Sequence, residues 1–192
     1  LLAKGEVDVM FGAYPSEEQI GEARAEGREL RFTPIGREGF VFFVNRNNPV
    51  ESLTSEEIRG IYSGEITNWK EVGGRDEPIL AFQRNQGSGS QSALVRFMGD
   101  APLMTPPTEQ VEDLMSGIIE RASDYRNHKN AIGFSFRYYA DQLVGNKGIK
   151  LLAVDGVAPT VENIRAGRYP LTSEFYAAAY EARDFRAMQM LD

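Results

Sequence analysis

The sequence predicts an α/β protein, and three observations carry that reading. Apolar runs of strand length alternate with helical patterns along most of the chain. The run Phe40-Val41-Phe42-Phe43-Val44 is apolar at every position, as befits a strand covered on both faces. From residue 79 to residue 97 an apolar run passes through Gly87-Ser88-Gly89-Ser90 into a helical pattern carried by Ala93, Leu94 and Phe97.

Taken in order, residues 7–11 read as a buried strand ending at Gly12. Ser16-Glu17-Glu18-Gln19 matches a capping box, so a helix is expected over 17–26. Residues 30–35 and 39–45 read as two strands, and Asn47-Asn48-Pro49 as a turn. Thr54 with Glu57 forms a second capping box, opening a helix that Ser63-Gly64 stops. Thr67-Asn68-Trp69 starts a brief turn before Gly73-Gly74, and Trp69 reads as a satellite-core anchor in preference to a ligand-stacking residue. Residues 79–82 form a strand, and a helix begins near Ser90. Pro102, Pro106 and Pro107 mark an irregular crossing; Thr108 is expected to cap a helix through Met115, and a further helical pattern covers 118–125. Strands follow at 131–136 and 149–154, helices at 138–144 and 160–164, and a last strand near 175–179.

Composition narrows the function. With 192 residues, 42% hydrophobic and 26% charged, the chain is long enough for one full domain or two small lobes. A net charge of -7 argues against nucleic-acid binding, which relies on basic surface. It does not exclude a small anion, because donors at contact distance outweigh surface charge screened over ~8 to 10 Å. The absence of cysteine removes disulfides and thiolate chemistry. No run reaches the ~18 apolar residues of a membrane-spanning helix. The first residue is Leu1, and the chain stops inside an apparently helical run at Met190-Leu191-Asp192, which predicts a fragment.

The chemistry concentrates at 79–97. A strand, a glycine-rich turn and a helix start bring together backbone N–H groups, the Ser88 and Ser90 hydroxyls and Arg84. The first turn of a helix has unpaired N–H groups and a partial positive charge, so this volume suits an anion. Arg84 offers a two-pronged, charge-assisted contact to an oxyanion. The plainer alternative is a surface turn with a helix cap, for the turn matches neither a dinucleotide fingerprint nor a phosphate loop. His128, the only histidine, lies in a polar turn and reads as solvated. The acid pairs Glu17-Glu18 and Glu56-Glu57 sit at helix starts and read as capping residues. No catalytic residue, metal site or cofactor is expected.

The order of motifs is itself distinctive. Phe43-Val44-Asn45, Asn48-Pro49-Val50, Ile61-Tyr62-Ser63-Gly64, Ile66-Thr67-Asn68-Trp69 and Gly73-Gly74 precede Arg84 and Gly87-Ser88-Gly89-Ser90. Ala131-Ile132-Gly133-Phe134 and Tyr169-Pro170-Leu171 follow. Over nearly its whole length the chain resembles the phosphate-binding proteins of bacterial ABC importers, in the type II periplasmic-binding-protein-like superfamily. The resemblance implies a two-lobed α/β protein that closes on inorganic phosphate or a similar oxyanion, is no enzyme, and delivers its ligand to an ABC transporter permease. It implies an extracytoplasmic setting, the periplasm or the cell surface, with lipid anchoring among the options. It also implies Arg84, Ser88, Gly89 and Ser90 as ligand-binding residues, Ser90 standing where the family has threonine.

Three departures accompany it. The strand, Gly/Ser-rich loop and helix that open the family's first lobe would lie before Leu1. The carboxylate that follows the family's Val-Asp strand has no clear equivalent; Ala13 or Tyr14 stands near it, and the Tyr14 hydroxyl, both donor and acceptor, is the expected substitute. Gln86 replaces the acid that accompanies the binding arginine. An acceptor carboxylate repels an oxyanion with no proton to share, so its loss weakens discrimination against sulfate. The expected layout is part of a first lobe in 1–42, a second lobe in 43–132 and a return to the first in 133–192, with the strands at 39–45 and 131–136 as crossings. An incomplete first lobe exposes apolar surface, so self-association is expected. The alternative function is a non-transport sensor or interaction module with a degenerate anion site; a phosphoester-cleaving enzyme ranks last.

Overall fold

The structure is a computed structural model of the 192-residue chain and describes residues 7–13, 17–27, 29–85, 88–106, 111–112, 129–144 and 148–180. The α/β class is as expected. The chain divides into two compact units, Leu1–Glu38 with Ser173–Asp192, and Gly39–Thr172.

In the first unit, β1 (Val9–Ala13) pairs antiparallel with β10 (Thr172–Tyr180), matching Val9 with Ala179 and Ala13 with Phe175. Helix α1 (Glu17–Ala25) buries Ile20 and Ala23; its expected cap at Ser16 lies outside the described residues. The two strands expected at 30–35 and 39–45 are one continuous strand, β2 (Leu30–Asn45). Extended backbone continues through Gly36-Arg37-Glu38-Gly39, and what changes there is burial: every residue from Phe40 to Asn45 is buried, whereas 34–37 are exposed.

The second unit holds the larger core. The buried half of β2 pairs antiparallel with β7 (Ala131–Phe136) over Phe40 to Val44, and with β8 (Ile149–Leu151) over Phe43 to Asn45. Strand β4 (Leu80–Ala81) adds to β7 in parallel. The Phe42 ring packs against Tyr62 at 5.9 Å and Phe97 at 5.5 Å, and Tyr62 meets Phe134 at 5.8 Å. Each such aromatic pair contributes ~0.5 to 1.5 kcal/mol beyond the area it buries. Burial also drives the Tyr62 and Tyr169 hydroxyls well above the usual phenol range, so both stay neutral; Tyr169 Oη donates to the Phe40 carbonyl at 3.0 Å.

Helix α2 (Ser55–Ser63) carries the predicted box: Thr54 Oγ1 accepts from Glu57 N–H, and Glu57 Oε2 accepts from Thr54 N–H at 2.7 Å. It ends on Gly64 at φ +86°, a conformation that costs glycine nothing. Asp155, next to β9 (Ala153–Val154), accepts from Ser55 N–H at 2.8 Å and Ser55 Oγ at 2.6 Å, which hold its carboxyl below the usual range. Strand β3 (Ser52–Leu53) pairs in parallel with β9. The expected turn at 67–69 is a 3-10 helix, Trp69–Val72, capped by Asn68. Trp69 is buried in the main core rather than a satellite, and its Nε1 donates to Asn130 O at 2.7 Å. The helix α4 (Arg137–Val144) and the Thr160-capped α5 (Val161–Arg165) match their expectations.

A further expectation differs from the structure. Val111–Glu112 form β6, paired in parallel with β5 (Gln83–Arg84), where a helix from Thr108 was expected; strand pairing overrides the local capping signal. The helix expected at 118–125 and His128 lie outside the described residues. The compact units also do not share the limits expected for the lobes. Residues 133–172 belong to the second unit because β7 and β8 pair with β2. The chain passes between these units inside β2, at Glu38 to Gly39, and inside β10, at Thr172 to Ser173.

Candidate functional site

Of the predicted residues, Ser88, Gly89 and Ser90 stand at the start of one helix, and Arg84 ends the short strand before it. After β5, the chain turns at Asn85, whose carbonyl accepts from Ser88 N–H at 3.1 Å. Ser88 then caps α3 (Gly89–Met98) from extended backbone, its Oγ accepting from Gln91 N–H at 3.1 Å. The helical ladder begins with Ser92 N–H on the Ser88 carbonyl at 3.1 Å. The N–H groups of Gly89 and Ser90 belong to the first turn, whose N–H groups have no partner within the helix itself. Ser90 is buried, 4% exposed, with its Oγ 3.5 Å from Ser88 Oγ. A hydroxyl that accepts from Gln91 keeps its own proton to donate. Two backbone N–H groups and two hydroxyls thus meet at the positive end of the helix dipole, which suits an anion.

The main chain at Arg84 is held to this turn by a residue the sequence reading did not single out. Gln91 Oε1 accepts the Arg84 backbone N–H at 2.9 Å, while Gln91 Nε2 donates to Gln83 Oε1 at 2.9 Å. Gln83 Nε2 in turn donates to the Met104 carbonyl at 2.9 Å. Both glutamine side chains are buried, at 3% and 5% exposure, where an unmet amide costs ~1 to 3 kcal/mol. Their mutual satisfaction therefore latches β5, the first turn of α3 and the segment at 102–106 together. The signal was present as Ser88-Gly89-Ser90-Gln91, an S-x-x-Q pattern. The glutamine does not close a capping box here, because its side chain reaches back to β5 instead.

Gly89 is exposed, and a Cβ built on it meets no heavy atom within 4 Å, so the fold alone does not require glycine there. Beside Arg84 lies a cavity of about 610 Å³ that runs along α3. Tyr14 and Gln86 lie outside the described residues. Among the described residues, no group of three or more His, Cys, Asp or Glu side chains is placed to hold a metal ion.

The family model described as the PBP superfamily domain matches residues 1–189. The chain is 30% identical over 134 residues to the phosphate-binding protein PstS of Bacillus subtilis, an alignment covering 69% of this chain and 41% of that protein. It is 27% identical over 144 residues to PstS of Borreliella burgdorferi, covering 72% and 50%. The chain thus spans half or less of these relatives' length. Among solved structures, a Clostridium perfringens protein described as a phosphate ABC transporter substrate-binding protein with bound phosphate superposes with a TM-score of 0.77 at 29% identity, covering 99% of this chain and 73% of that one. An ABC-type phosphate transport receptor of Vibrio cholerae gives 0.75 at 27% identity, covering 99% and 74%.

Proposed function

The chain belongs to the PBP superfamily, and from that premise we propose that it binds phosphate or a related oxyanion as the solute-recognition part of an ABC importer. The observation that carries the reading is the convergence at α3: the Ser88 and Ser90 hydroxyls and two first-turn N–H groups, with Arg84 tied alongside through Gln91. In this proposal Arg84 supplies the positive charge, Ser88 and Ser90 donate O–H bonds, and Gly89 admits the oxyanion to the backbone. Tyr14 is a further ligand contact, taking the place of the missing carboxylate. The protein performs no chemistry on its ligand, and passes it to a transporter permease.

Its setting is extracytoplasmic, in the periplasm or on the cell surface, with or without a lipid anchor. The names of relatives, phosphate-binding protein PstS and ABC-type phosphate transport receptor, support the importer reading from which this setting is drawn. No helix among the described residues is long and apolar enough to cross a membrane. The first unit leaves Phe11 57% and Ile35 49% exposed, which supports self-association of the 192-residue chain; a purely monomeric mass in light scattering would contradict it.

The binding assignment is tested by titrating phosphate into the full protein and its Arg84→Ala variant in a calorimeter. A hydrogen bond to a charged group contributes ~1.5 to 3 kcal/mol, so the variant should bind about 10- to 100-fold more weakly. Equal affinity in the two proteins removes Arg84 from the site.

A further inference from the structure

The cavity beside Arg84 is larger than a free oxyanion needs. At about 610 Å³ it falls in the ~300 to 1,000 Å³ range of small-molecule sites, whereas an orthophosphate displaces only a few waters of ~30 Å³ each. The described lining residues all belong to the second unit. The cavity shares Arg84 and Gln91 with the anion-binding turn, since Gln91 is the residue whose N–H is held by Ser88 Oγ.

Its chemistry is not that of a second anion site. The buried amides of Gln83 and Gln91 satisfy each other, the Met104 carbonyl and the Arg84 N–H, so this part of the lining is polar but already paired. Val95, Leu103, Met104 and Pro106 add apolar surface, and Val95 is 53% exposed although it sits on a helix that buries Leu94 and Phe97 against the core. Asn85, Ser92 and Thr105 add short polar groups to the lining. Such walls fit a small uncharged group with both apolar and hydroxyl character.

We infer that the protein takes an oxyanion bearing a short organic substituent, a phosphate monoester or a phosphonate, with the substituent lodged between α3 and the 103–106 segment. This inference rests on the anion site proposed above. The oxyanion head meets Ser88, Ser90 and the first-turn N–H groups, and the substituent extends past Arg84 into the cavity. Apolar burial there adds affinity that inorganic phosphate cannot gain.

Calorimetry on the full protein with inorganic phosphate, glycerol 3-phosphate and n-propylphosphonate separates the possibilities, repeated on Val95→Trp, which fills the cavity from an exposed position. The inference expects at least one organic ligand to bind as tightly as phosphate or more so. It also expects Val95→Trp to weaken that ligand about tenfold or more while phosphate is little changed. Phosphate binding without either organic ligand, or equal weakening of both classes by Val95→Trp, overturns the inference and leaves the anion site standing. If none of the three ligands binds, the anion site falls and the inference with it. Circular dichroism of Val95→Trp confirms that any loss is not unfolding.

Discussion

Replacing Gly89 by alanine separates a folding role from a binding role. The glycine is not among those at positive φ, and a Cβ added to it meets nothing within 4 Å. At the first position of α3 the substitution therefore introduces no clash and narrows the unfolded ensemble, a gain of ~0.4 to 1 kcal/mol. Chemical denaturation should show stability unchanged or slightly raised. Binding should move the other way. An oxyanion must approach the Gly89 and Ser90 N–H groups to ~2.7 to 3.2 Å, and a methyl group at the helix start obstructs that approach. Loss of one such bond to a charged ligand costs ~1.5 to 3 kcal/mol, or about 10- to 100-fold in the dissociation constant by calorimetry. A variant that is as stable as the parent and binds phosphate equally well would refute the placement of the ligand at this turn. A variant destabilised by more than ~1 kcal/mol would show instead that glycine is there for packing.

Two further variants probe the surrounding structure. Gln91→Ala strands the buried Gln83 amide and the Arg84 N–H, so denaturant titration should show a loss of ~1 to 3 kcal/mol, and phosphate affinity should fall because Arg84 is no longer held to the turn. Asp155 is bonded to Ser55 in its ionised form and titrates below its ordinary value, so its contribution is fully present above the unfolded pKa of ~3.9 and is lost as pH falls through the lower folded value. Asp155→Asn suits the left-handed backbone at φ +50° yet cannot accept both Ser55 bonds. The parent's advantage over it should be constant above about pH 5 and shrink below about pH 4 in thermal melts.

Local signals were read well from the chain and non-local ones less so. Thr54 with Glu57, and Thr160 ahead of 161, announce helix starts because a cap involves residues three apart. The same logic failed at Thr108, where the neighbouring Val111 and Glu112 are strand, paired with Gln83 and Arg84 from a distant part of the chain. The break expected between 35 and 39 is absent, for β2 runs straight through Gly36 and Gly39. Glycine inside a strand can mark a place where neighbouring atoms approach closely. Gly39 is such a place, since an added Cβ would lie 2.5 Å from Ile164 Cδ1.

The candidate site divides along the same line. Ser88, Gly89 and Ser90 are contiguous, and their role as the start of a helix follows from spacing alone. How Arg84 is fixed beside them does not, because the fixing agent is a glutamine seven residues away whose side chain turns out of the local pattern. The choice of an amide for that task has a consequence for an anion site. A neutral glutamine can accept the Arg84 N–H and donate to Gln83 with the same side chain, tying two elements without placing a negative charge next to the helix start. A glutamate at 91 could accept from Arg84 but could not donate to Gln83, and its charge would oppose the ligand. The latch and the proposed ligand thus make the same demand on residue 91, that it be polar, bifunctional and uncharged, and of the side chains of that length glutamine meets it.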